Sequence, residues 1–121
     1  EISAGELIDK ITILEIKKLK ISNKEKLIEV DKELKSLNST KNKFIPNETK
    51  ILKHKQDLKS INLKLWEIED GKRTAEKNKK FDEKFISLAR NVYKLNDERA
   101  KIKLSINNIL GSNIKEIKSY E

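Results

Sequence analysis

With 121 residues and a formal net charge of +8, the chain has room for a single domain spanning 1–121. It has no Cys and one His, which excludes disulfides, thiolate nucleophiles and the common Cys and multi-His metal sites, so no metal or other cofactor is expected. No run of 18 apolar residues occurs and no basic-then-apolar leader opens the sequence, so the expectation is a cytoplasmic protein without membrane insertion.

The first predicted helix covers about residues 4–20. Ser3 is placed to cap it, with Glu6 three residues on in the spacing of a capping box. Eight aliphatics between Leu7 and Ile21 cover well over half of its circumference. The remainder is a polar strip of Glu6, Asp9, Lys10, Lys17 and Lys20. A helix this apolar needs neighbours on more than one side, and is expected to be central or to lie in a dimer interface.

The second helix, about 23–41, starts from Ser22 with Glu25 in cap spacing and carries the stripe Leu27, Val30, Leu34 and Leu37. The two form a short hairpin. Pro46 then disfavours a helical Ile45, and Asn47 is a candidate cap for the next helix.

Helices over about 48–77 and 82–110 follow, with a tail at 111–121. Ile51, His54, Leu58, Ile61, Leu65 and Ile68 repeat at 3-4 spacing, as do Phe85, Leu88, Val92, Leu95, Arg99, Ile102 and Ile106, so each helix presents one stripe to a partner. Laid antiparallel about a turn at Asn78-Lys79-Lys80, the stripes pair Ile68 with Val92, Ile61 with Arg99 and His54 with Ile106. Asp82 or Asn78 can cap the last helix, and Gly111 supplies its left-handed end. The predicted fold is therefore all-α: an elongated four-helix arrangement, a short N-terminal hairpin plus a long antiparallel, coiled-coil-like hairpin with arms about 45 Å long.

The positive charge does not read as a nucleic-acid footprint. Only Arg73, Arg90 and Arg99 among the 28 basic residues are arginine, and Lys is mixed with 20 acidic residues through every helix. That is a solvated-surface pattern without a basic stripe or stacking aromatics, so nucleic acid is not an expected partner.

Three polar residues intrude on apolar seams. Glu15 falls among Ile8, Ile11 and Leu19, and a carboxylate there needs a partner; Arg99 is the expected one, in an ion pair that fixes register. His54 is expected as a packed side chain, since no Asp and Ser companions accompany it for catalysis. Off the seam, Asn62, Trp66, Glu69 and Arg73 share a face, while Arg90, Tyr93, Asn96 and Asp97 lie on a strip of the last helix. With Asp9 and Lys10 from the first helix, and with Arg99, they make a candidate groove for a small carboxylate or phosphate. Interhelical polar packing is the plainer account of the same residues.

Gly5-Glu-Leu-Ile-Asp-Lys-Ile-Thr-Ile-Leu-Glu-Ile-Lys17, Leu65-Trp-Glu-Ile-Glu-Asp70 with Arg73, Leu88-Ala-Arg90 with Val92-Tyr93, Asn96-Asp97 and Arg99-Ala100, and Lys118-Ser-Tyr120 together resemble a small bacterial family known only as a domain of unknown function. The resemblance spans the chain and implies no activity, only an association with glycosyl-transfer and cell-surface polysaccharide systems. Relatives often carry Pro where Lys24 stands and an acidic-then-apolar pair where Gly71 and Lys72 stand. Ile8-Asp9-Lys10-Ile11 is also similar to the opening helix of the helical chorismate mutases, but their Arg-rich helix-one pattern is absent. The leading expectation is a non-catalytic interaction or scaffold protein, a homodimer or bound to a protein partner. A small-anion-binding or enzymatic bundle is the alternative.

Overall fold

The computed structural model describes residues 2–111. Its helices are α1 (Ala4–Lys20), α2 (Lys24–Phe44), a 3-10 turn (Thr49–Ile51), α3 (Leu52–Asn78), α4 (Glu83–Arg90) and α5 (Val92–Leu110). The all-α expectation holds. No helix among the described residues is long and apolar enough to cross a membrane. The expected tail at 112–121, with Lys118-Ser-Tyr120, lies outside the described residues.

α1 is the central element, packed against α2, α3 and α5. Its apolar excess is used on three sides: Leu7, Ile8, Ile11 and Leu14 join Val30 and Leu34 of α2, Ile45 and Ile51 of the α2–α3 corner, Leu58 of α3 and Ile106 of α5 in one core. Burying side chains of this size stabilises by roughly 1.5–3 kcal/mol each. Gly5 permits the closest approach. A Cβ at that position would lie 2.2 Å from the Lys103 carbonyl oxygen, and the Gly5 N–H donates to Asn107 Oδ1 at 2.7 Å. Only a glycine lets α1 and α5 backbones come this near.

The helix ends follow local chemistry, with some departures from expectation. Ser3 accepts from the Glu6 N–H at 3.2 Å, but the Glu6 carboxylate turns to Lys103 Nζ at 2.6 Å instead of closing a capping box. α2 is capped by Asn23, accepting from Lys26 N–H, one residue beyond Ser22; Asn is as good a cap as Ser, so cap preference alone does not choose between the two neighbours. α2 continues to Phe44, and a 3-10 turn opens the third helix. Asn47 Oδ1 accepts from the Thr49 N–H and hydroxyl just ahead of that turn, whose cap position is Glu48 and not Asn47.

At the far end, Lys79 takes φ 52°, its N–H bonding Ala75 and Glu76 carbonyls while the Lys80 N–H reaches Ala75 O at 3.0 Å. This is a Schellman closure with a non-glycine residue in the left-handed position. Asp82 caps α4 through the Phe85 N–H at 2.8 Å. Gly111, at φ +79°, ends α5.

The predicted continuous helix over 82–110 is in fact two, α4 and α5, divided at Asn91. The Asn91 N–H bonds the Leu88 carbonyl in a tightened turn before the ladder resumes from Asn91 O to Leu95 N. Asn favours such local departures from helix, and hydrophobic spacing alone does not register them.

Candidate functional site

The polar centre of the molecule lies where α1, α3 and α5 meet. Asp9 is completely buried, as is Thr12, and Asn62 is nearly so. Arg99 donates from Nε to Asp9 Oδ1 at 2.9 Å and from Nη2 to Oδ2 at 2.5 Å, a two-point clasp. Asn62 Nδ2 donates to Asp9 Oδ1 and to Thr12 Oγ1, both at 2.9 Å, and the Thr12 hydroxyl donates to the Asp9 carbonyl at 2.7 Å. Lys103 Nζ stands 3.9 Å from Asp9 Oδ2 and bridges to Glu6. The pairs Glu6–Lys103 and Asp9–Arg99 show that α1 and α5 run antiparallel here. The hydrogen bond from Arg99 to Asp9 outweighs burial and, with the charges of Asp9 and Glu6, raises the guanidinium pKa above its ordinary value.

Two expectations are corrected by this arrangement. Arg99 pairs with Asp9 and not with Glu15. Glu15 sits at the core margin, 3.4 Å from Lys59 Nζ with its side chain partly exposed, and its expected neighbour Leu19 is out in solvent. Asp9, expected on a polar strip bordering the candidate groove, is the buried anchor of the network. The physical reason is that α5 covers that strip. One signal was available: Glu6 and Asp9 are three residues apart and Arg99 and Lys103 four apart, so an acidic face and a basic face can lie against each other.

Beside this network is a cleft of about 290 Å³. Ile13 and Ile16 of α1 and Leu65 and Trp66 of α3 supply its apolar walls, while Asn62, Glu69, Arg73 and Arg99 are the polar residues lining it. Of the residues singled out in the sequence, Trp66, Arg73 and Arg99 thus come together. Arg73 is largely exposed and holds Asp70 at 2.9 Å. Lys10, Arg90, Tyr93 and Asn96 are exposed and are not among the lining residues. His54 is half-buried near the start of α3, with its Nδ1 buried and without a hydrogen-bond partner. Among the described residues no cluster of His, Asp or Glu could hold a metal ion.

A second polar knot joins the α2–α3 corner. Glu48 lies 3.0 Å from Lys41 Nζ and 3.5 Å from Lys55 Nζ. Burial alone would raise the Glu48 pKa, but the two ammonium groups outweigh it and hold the carboxyl below its ordinary 4.5.

The outer part of the hairpin is built differently. Beyond Ile68, Ala75 is the one buried residue of α3, and α4 has none. Phe81 is 52% exposed and Leu88 47%, and Ile86 is exposed beside them. Two open grooves score this arm. One, about 430 Å³, is lined by Ile68, Leu88 and Leu95 with Lys64, Lys94, Glu67 and Glu98 at its sides. The other, about 470 Å³, runs past Gly71, Ala75, Phe85 and Leu88.

A family model described as a family of unknown function (DUF6165) matches residues 1–121, and the chain belongs to that family. No curated protein and no solved structure matches it.

Proposed function

We propose that this member of the family of unknown function is a non-catalytic helical interaction protein that self-associates through the outer arm of its long hairpin. The observation that carries the reading is the state of that arm. α4 buries none of its residues and leaves Ile86 and Leu88 open beside Phe81, whereas amphipathic helices draw most of their stability from burying one face. A second copy supplies the missing layer.

Charge favours a second copy over a nucleic acid. The groove around Ile68, Leu88 and Leu95 is flanked by two lysines and two glutamates. A two-fold arrangement that sets Lys64 and Lys94 of each copy against Glu67 and Glu98 of the other is self-complementary despite the +8 net charge. The polar network around Asp9 then has an architectural role, holding α1, α3 and α5 in one register so that the arm projects rigidly.

Light scattering at tens of micromolar tests the proposal. The expected mass is twice the 14.1 kDa of the chain, falling to one chain in Leu88→Glu with helicity unchanged. A compact wild-type monomer, or a Leu88→Glu protein that stays dimeric, overturns it.

A further inference from the structure

We infer that the cleft between α1, α3 and α5 is a binding site for a small organic monocarboxylate with an apolar, ring-sized body. This goes beyond the proposed self-association and does not depend on it. The inference rests on how Arg99 is held. Its Nε and Nη2 are both committed to Asp9, and Asp9 is in turn fixed by Asn62 from α3. A guanidinium held at two points on a fully buried carboxylate has little freedom left to lose, so a third acceptor meets a pre-oriented donor. Nη1 is the nitrogen the clasp leaves over, on a side chain that is 28% exposed and lines the cleft.

The rest of the cleft sets the class of ligand. Ile13, Ile16, Leu65 and the Trp66 indole form hydrophobic walls that suit a flat apolar body. A carboxylate on that body would reach Arg99 within a partly desolvated space, where a charge-assisted hydrogen bond is strongest. A volume of about 290 Å³ is at the small end for ligand sites and suits roughly ten non-hydrogen atoms.

Charge favours a monocarboxylate over a more highly charged anion. Arg99 and Lys103 are matched by Asp9 and Glu6, Arg73 by Asp70, and Glu69 by Lys72. A ligand here gains a charge-assisted hydrogen bond from Arg99 but meets no unpaired cation among the described lining residues, so a second negative charge, as on inorganic phosphate, has nothing to hold it.

The sequence provides its own reporter, since its single Trp is Trp66. Titrating the full chain with benzoate, followed by Trp fluorescence, is expected to give a saturable change with half-saturation in the low-millimolar range, about what a fragment of that size attains. Benzyl alcohol and inorganic phosphate are expected to bind at least about tenfold more weakly, the loss of one charge-assisted contact or of the apolar one. Leu65→Phe fills the cleft without touching the charged cluster and is expected to abolish the response. Ile13→Phe, from the facing wall, replaces it if Leu65→Phe does not fold. Leu88→Glu, which separates the test from self-association, is expected to leave benzoate binding unchanged. The inference is overturned by no saturable response, by benzyl alcohol or phosphate binding as tightly as benzoate, or by undiminished binding in a folded cleft-filled variant.

Discussion

The two ends of the long hairpin are made from helices of similar composition, yet one is finished and the other is not. At the inner end α1 lies across α3 and α5, and the three share Ile8, Ile11, Leu58 and Ile106 as core with Asp9 clasped at its centre. At the outer end, among the described residues, α3 packs against α4 and the beginning of α5, and the apolar stripe of α4 stays half in water. What differs is the third helix. A stripe at 3-4 spacing can be written along a whole hairpin, but it becomes a core only where something covers it.

The largest contrast is expected at Asp9. Asp9→Ala leaves Arg99 partly buried without its carboxylate and frees the Asn62 amide, so a loss of roughly 3–5 kcal/mol is expected in urea unfolding. Replacing both partners, Asp9→Leu with Arg99→Met, should recover most of it, because an apolar pair needs no compensation for lost hydration. In the outer arm, Arg73→Ala removes an exposed pair with Asp70 and should change stability by less than about 0.5 kcal/mol.

The glycines sharpen the same comparison. Gly5→Ala drives a methyl into the Lys103 carbonyl and should cost about 2–3 kcal/mol as α1 is pushed off α5. At Gly71 an added Cβ meets only the Phe85 ring at 3.8 Å, ordinary contact in mid-helix. Gly71→Ala should therefore stabilise by up to about 1 kcal/mol. Equal responses to the two substitutions in thermal melts would contradict the difference between the ends.

Leucine truncation gives the next contrast. Leu58 is fully buried, and Leu58→Ala should cost about 2–4 kcal/mol. Leu88→Ala, measured at low protein concentration, should cost less than about 1 kcal/mol, since half of that side chain is already hydrated.

Much of this was legible beforehand and some was not, for definable reasons. Local rules identified the Ser3 and Asp82 caps, the turn at Asn78–Lys80, and the terminating Gly111, because each depends on a few neighbouring residues. Helix spacing marked α1 as needing neighbours on several sides. The same spacing put Asp9 on a polar strip, and the crossing of α5, ninety residues away in sequence, buries it. Arg99 was visible as an intruder in a seam, but its partner was not, because a seam position does not say which of two neighbouring helices the side chain will reach. Trp66, Arg73 and Arg99 form part of one cleft, while Arg90, Tyr93 and Asn96 lie beyond it on faces that spacing alone could not rank.

A further, small effect concerns pH. Glu48 has its carboxyl pKa lowered in the folded protein by Lys41 and Lys55, so its contribution is complete above the ordinary 4.5 and fades as pH falls through the lower folded value. For a carboxylate still partly open to solvent the effect should be roughly 0.5–1 kcal/mol. It should disappear from the acid limb of the stability curve in Glu48→Gln, and a steeper limb in that variant would refute the assignment.

Amide hydrogen exchange followed over a dilution series tests the central claim most directly. If a second copy completes the outer arm, the amides of α4 are protected at high concentration and exchange faster on dilution, while those of α1 do not change. Concentration-independent exchange, with α4 as well protected as α1, would contradict the account.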